Sequence, residues 1–230
     1  MSKKQSRGKG GKIQMPPTNE LIIKAKNLGQ KEVLRCIAEH DISIIYGPAG
    51  SGKTYLAVAW GLQQFVLGRY KRIIFTRPCI EAYGENLGFL PGGFDEKIAP
   101  YMIPIMDVLK EYISLSLLQE YVASGTIITL PLSFQRGVTF KDAYVVLDEA
   151  QNALPQQFKM FLTRMGGNSK IVVTGDPNQS DRGRKNGITD AVERLKDVDG
   201  IGMVELKREH IVRHPLVDIV DKKYADLDDK

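Results

Sequence analysis

At 230 residues, 43% of them hydrophobic and with a net charge of +5, the chain can bury one full core plus a small appendage, but not two large domains. It holds no run of about 18 apolar residues, so no transmembrane helix and no membrane partner are expected, and its charged start lacks the apolar stretch of a signal peptide. Cys36 and Cys79 lie beside apolar residues and outside any C-x-x-C spacing, so buried free thiols in a reducing, cytoplasmic setting are expected.

The charge surplus is local. Lys3, Lys4, Arg7, Lys9 and Lys12 account for all of it, and the first twelve residues contain no acid. Residues 1–17 are therefore expected to be a disordered basic tail, serving either as a non-specific phosphate-backbone tether or as a solubilising tail. Pro16-Pro17 marks the boundary, and one α/β domain is expected over residues 18–224.

Within that domain, Val33, Leu34, Ile37 and Ala38 recur at helical spacing over residues 28–39. Ile42–Tyr46 reads as a buried strand ending at Gly47, and residues 54–67 as an apolar helix closed by Gly68. Arg72–Thr76 is a second strand, broken by Pro78. A Gly- and Pro-rich stretch at 83–93 opens an insertion over about 79–124. Its second part, 95–122, reads as helical, with Pro100 and Pro104 interrupting it. Strands follow at 126–130, 143–147, 170–174 and 202–206, then a closing helix at about 215–224 and a frayed acidic end at 225–230. Strands alternating with helices predict a mostly parallel sheet with helices on both faces.

Three motifs carry the chemistry. Gly47-Pro48-Ala49-Gly50-Ser51-Gly52-Lys53-Thr54 fits G-x-x-x-x-G-K-[ST] between a strand and a helix. Its glycines let backbone N–H groups turn toward phosphate oxygens, Lys53 can reach the β- and γ-phosphates, and the Thr54 hydroxyl can ligate Mg2+. A Gly-rich turn is the bland alternative. The strand Tyr144–Leu147 then ends in Asp148, placed to hold the Mg2+ hydration shell, and Glu149, placed to polarise water for attack on the γ-phosphate. An exposed strand end or a helix cap would explain the same pair. Finally, Gly175-Asp176-Pro177-Asn178-Gln179 ends the next strand, where Gln179 can contact the γ-phosphate or its water. It is also good β-turn sequence. Asn178-Gln-Ser-Asp181 lacks the lysine of the guanine-reading N-K-x-D element, which argues against a GTPase.

Together, residues 47–54, 146–152 and 174–179 resemble motifs I, II and III of superfamily 1 helicases, and more closely the PhoH-like ATPases. Further resemblance lies in Thr76-Arg-Pro78, Gly84–Gly92, Lys97–Tyr101, Arg136-Gly137, Phe161–Gly166 and Ile211–Val217, so it covers roughly residues 18–224. It implies a RecA-like P-loop NTPase fold and ATP hydrolysis with Mg2+. It also implies Gln30 as the residue that hydrogen-bonds adenine, although an exposed helix-start glutamine reads the same. Arg213 is the leading candidate for an arginine that neutralises transition-state charge, in cis or from another subunit, with Arg164 and Arg136 as rivals and a surface salt bridge as the alternative for each. His40, His210 and His214 are expected to be structural.

The chain departs from a processive helicase in holding a single RecA-like domain. Translocation would therefore call for a homo-oligomer, such as a hexameric ring, with Arg213 acting in trans. Residues 180–187 are also more basic and polar than the family's apolar run, which weakens a contact there with RNA. The leading expectation is an ATPase coupled to RNA or single-stranded DNA. A small-molecule kinase and a nucleotide-dependent scaffold with little turnover are the alternatives.

Overall fold

Runs of β-branched and aromatic residues that are apolar at every position can be satisfied only where both faces of a sheet are covered, and this decides the architecture. The computed structural model describes residues 21–78, 94–180, 186–213 and 215–223. The expected basic tail, Cys79, the Gly- and Pro-rich stretch, most of the basic run after Ser180, His214 and the acidic end lie outside the described residues.

Six strands form one sheet: β1 (Ile42–Tyr46), β2 (Arg72–Arg77), β3 (Ile127–Pro131), β4 (Ala143–Leu147), β5 (Lys170–Gly175) and β6 (Ile201–Glu205). Their order is β3-β2-β4-β5-β1-β6, and every neighbouring pair is parallel. Ile44 sits beside Val173 in β5 and beside Met203 in β6, and Val146 sits between Phe75 and Val172. This is the α/β P-loop arrangement expected from the sequence, with all of its strands parallel.

Because side chains alternate across a strand, each strand feeds two cores. Ile45, Phe75, Tyr144, Val146 and Val172 face α1 (Leu28–Glu39), α2 (Lys53–Val66), α3 (Phe94–Lys110) and α4 (Leu115–Ala123). Ile44, Ile74, Val145, Leu147, Ile171 and Val173 face α5 (Pro155–Leu162) and α6 (Gly187–Leu195). A last helix, α7 (Pro215–Lys223), follows β6. No helix among the described residues is long and apolar enough to cross a membrane.

The helical stretch expected at 95–122 is two helices. α3 runs through both Pro100 and Pro104 rather than being interrupted there, since Met102, Ile105 and Leu109 gain an apolar interface with the α2 side of the sheet. The break falls at Ser114, whose hydroxyl accepts the Leu117 N–H to cap α4. Helices α5 and α6 were not read from the sequence. Pro155 opens α5, and the buried Asn186 side chain accepts the Thr189 N–H to open α6.

The α2–sheet contact has almost no slack. A Cβ at Gly61 would stand 2.2 Å from Cε1 of Tyr144, a fully buried ring whose hydroxyl donates to Ala57 O at 2.8 Å. Helix propensity alone favours Gly61→Ala by about 1 kcal/mol. Overpacking against the ring should dominate, giving a net loss of about 1–3 kcal/mol in urea unfolding. A gain in stability would show that the helix can slide off the sheet.

Candidate functional site

Parallel topology places the ends of β1, β2, β4 and β5 side by side at one rim of the sheet. The phosphate loop leaves β1 there, pinned by Gly47 N–H donating to Gly175 O at 3.2 Å. Gly47 and Gly50 have φ of +140° and +77°. A Cβ on Gly47 would meet Leu206 O at 2.1 Å, and one on Gly50 would meet Arg213 Nε at 2.0 Å, so neither position admits a side chain.

A cavity of about 280 Å³ opens over this rim. Ala49, Gly50, Gly52, Lys53, Thr54, Asp148, Glu149, Gln179 and Arg213 line it, together with Gly175 and Asp176 of the third motif and Tyr55, which was not singled out from the sequence. Gly47, Pro48 and Ser51 complete the loop from behind. Lys53 is nearly buried, its ammonium donating to Gly47 O at 2.7 Å and Pro48 O at 2.8 Å. Burial pushes its pKa below the ordinary lysine range and Arg213 adds to this; Asp176, Glu149 and Asp148 oppose it.

Asp148 is the hub. One carboxylate oxygen, Oδ1, accepts from Thr54 Oγ1 at 2.8 Å and from the Thr174 hydroxyl. The other, Oδ2, accepts from Arg77 through Nε at 2.9 Å and through Nη2. The side chains of both partners are almost fully enclosed, at 11% and 2% exposure. A hydroxyl and one carboxylate oxygen on the floor of a phosphate-sized cavity fit Mg2+, which takes few protein oxygens and keeps waters and substrate phosphates for the rest. No cluster of three or more His, Cys, Asp and Glu residues suited to a metal is present among the described residues.

Glu149 adopts φ +55°, ψ +39°, a left-handed conformation that an L-residue holds only under constraint. Gln151 supplies that constraint. Its Nε2 donates to Glu149 Oε2 at 2.6 Å, its Oε1 accepts the Asp176 N–H at 3.0 Å, and its carbonyl accepts from Ser180 Oγ at 3.0 Å. One buried amide thus locks the β4 end to the β5 end. Gln179 N–H donates to Asp176 O at 3.0 Å, as in a turn, and Gln179 also lines the cavity.

One expectation changes and one open alternative narrows. Gln30 does not line the cavity. It is 4% exposed, with Nε2 donating to Ser51 O at 3.0 Å and Oε1 accepting the Lys26 N–H at 2.8 Å. Both halves of its amide are committed to backbone, so it braces the phosphate loop from behind. Arg213, read as acting in cis or from another copy, lies over the loop of its own chain. The segment after β6 is fastened there by Leu206 N–H to Tyr46 O (2.7 Å), Val212 N–H to Gly50 O (2.9 Å) and Asn27 Nδ2 to His210 O (3.0 Å). Neither Arg136 nor Arg164 lines the cavity; Arg164 Nε donates to Met160 O at 3.2 Å. His40 and His210 make backbone contacts, as expected of structural residues.

Arg77 and Gln151 were missed as site residues. The signals available were the family-like stretch Thr76-Arg-Pro78 for Arg77 and the motif-like stretch 146–152 for Gln151, neither of which assigned the residue a role.

Known proteins place this arrangement. The family model of PhoH-like proteins matches residues 22–225. A PhoH-like protein of Bacillus subtilis (strain 168) is 46% identical over 204 residues, 88% of this chain and 64% of that protein. Protein PhoH of Escherichia coli (strain K12) is 40% identical over 198 residues, 84% of this chain and 56% of its own. The chain thus spans only about three fifths of the length of the curated relatives it matches. Among solved structures, the Pif1 helicase of Candida albicans aligns at 12% identity and a TM-score of 0.41, over 87% of this chain and 44% of that one. The DUF1998 helicase MrfA bound to DNA aligns at 12% identity and a TM-score of 0.43, over 84% and 30%. Likenesses that distant carry no weight for function.

The brace formed by Gln30 is distinguishable from base recognition. Gln30→Ala should cost about 1–3 kcal/mol of stability by leaving buried backbone groups unpaired. It should also weaken fluorescent ATP and GTP analogues by the same factor. Loss of ATP affinity alone, with GTP unchanged, would restore the adenine-reading role.

Proposed function

The chain belongs to the PhoH-like protein family, and on that premise we propose that it hydrolyses ATP with Mg2+ and couples the hydrolysis to RNA or single-stranded DNA. The observation that carries the hydrolytic assignment is Glu149. It sits beside Asp148 at the lip of the cavity, in a strained backbone state held by a buried amide. Strain of this kind costs on the order of 1–3 kcal/mol and persists where geometry is needed. Glu149 also precedes the short turn Ala150–Asn152, but its side chain caps no N–H there and is held toward the cavity by Gln151 instead.

In this mechanism the phosphate-loop N–H groups and Lys53 hold the β- and γ-phosphates, and Lys53 exchanges its loop carbonyls for phosphate oxygens. Mg2+, held by Thr54 and Asp148, would neutralise charge on those phosphates. Glu149 accepts a proton from the attacking water, while Gln151 keeps its carboxylate from turning away. Gln179, on the neighbouring strand end, orients the water or the γ-phosphate. Arg213 lines the same cavity beside Gly50, where a guanidinium would offset the charge spread over the transferring group.

The nucleic-acid part rests on the likeness of residues 47–54, 146–152 and 174–179 to superfamily 1 helicase motifs. Movement along a strand needs two such units that open and close on ATP. The described residues form one sheet, so the second unit would come from another copy, as in a ring, or from further chain. A cytoplasmic enzyme fits the unbridged, buried Cys36.

Phosphate release, measured with and without single-stranded RNA for the native protein and Glu149→Gln, tests the proposal. The native protein should release phosphate faster with RNA. The variant should lose about 10²–10⁴-fold in rate while still binding ATP. No release under any condition would overturn the proposal, and an unaffected variant would remove Glu149 from it.

A further inference from the structure

Arg77 is the last residue of β2, on the strand next to β4, and its guanidinium grips the carboxylate oxygen of Asp148 that Thr54 leaves free. It contributes two of its nitrogens to that oxygen, and its Nη2 also stands 3.9 Å from Glu149 Oε1. Both carboxylates that serve the proposed site are therefore within reach of one fixed, permanently charged group. A buried carboxylate needs such a counter-charge, since leaving one unpaired is strongly destabilising. A divalent cation bound at Thr54 and Asp148 would meet that same counter-charge a few ångströms away.

We propose that Arg77 is a positioning residue that supplies the counter-charge of Asp148 until the cation arrives, and so sets how much Mg2+ the site demands. The proposal rests on the ATP and Mg2+ site described above. Two cationic groups on one carboxylate repel each other, so cation loading and the Arg77 grip oppose one another by linkage. Loading loosens the hold of β2 on β4, and unloading restores it. The grip also fixes the rotation of the carboxylate, since Oδ2 is held by Arg77 while Oδ1 stays with Thr54 and Thr174. A purely structural ion pair would share the geometry and lack the linkage.

The test is the Mg2+ dependence of binding of a fluorescent, non-hydrolysable ATP analogue, for the native protein, Arg77→Gln and Arg77→Lys. Arg77→Gln should shift the Mg2+ midpoint down by about tenfold, the scale expected for removing a unit charge close to a dication. Without nucleotide, Mg2+ alone should raise the melting temperature of this variant more than that of the native protein. Arg77→Lys keeps the charge but not the two-nitrogen fork, so its midpoint should fall between the two. If Arg77→Gln fails to fold, Arg77→Lys is read alone, and a midpoint equal to native overturns the proposal. Lower stability with an unmoved midpoint in a folded Arg77→Gln overturns it as well, leaving Arg77 structural. Absence of any Mg2+ dependence in the native protein overturns the ATP and Mg2+ site itself, and this proposal with it.

Discussion

Asp148 is 1% exposed, yet its carboxylate is met by side chains from three other segments: Thr54 at the start of α2, Arg77 at the end of β2 and Thr174 in β5. A charge at that depth is tolerated only when its oxygens are filled, so these segments must converge for the chain to fold at all. The strand order β2-β4-β5, with β1 next, is the topology that brings them together. The carboxylate therefore both organises the central sheet and presents its oxygen to the cavity. Any ligand that claims that oxygen acts on the mutual hold of β2, β4 and α2, which is how binding at the rim can be felt inside the sheet.

Glu149 depends on the same arrangement from the other side. Its left-handed backbone follows directly from the buried Asp148, so the chain must turn sharply to bring the next carboxylate back to the cavity lip. Gln151 holds that turn by bonding forward to Asp176 and back to Glu149. A Cβ on Gly175 would stand 2.7 Å from Gln151 Oε1, so the strand end beside it must stay bare. The geometry of the proposed base is thus built from a strained turn, a buried amide and a glycine on the next strand.

What the sequence made legible were features whose physics is local. The phosphate loop is eight consecutive residues with fixed spacing, and Asp148-Glu149 end an apolar strand. The strands stood out because both faces are buried. Helices α5 and α6, of eight and nine residues, did not, although α7, also of nine residues, did. Pro104 misled because the apolar face of α3 outweighs its local penalty. The role of Arg77 and the bracing role of Gln30 escaped for another reason. Their partners lie 71 and 21 residues away, and no spacing rule links a strand-end arginine to a carboxylate on the next strand.

Arg213 reaches the cavity through the anchorage of its own backbone. A single RecA-like unit pointed to a neighbour as the source of the arginine for translocation, although a source in cis was equally allowed. The segment that bears it is instead hydrogen-bonded to β1, to the phosphate loop and to Asn27 within one chain. The Val212 N–H bond to Gly50 O places the next side chain directly over the loop, and the missing Cβ of Gly50 makes the room for it. Assembly is therefore not required to bring an arginine to this cavity. If copies do assemble, the demand must come from elsewhere, and gripping a strand at more than one point is the demand that the proposed chemistry supplies.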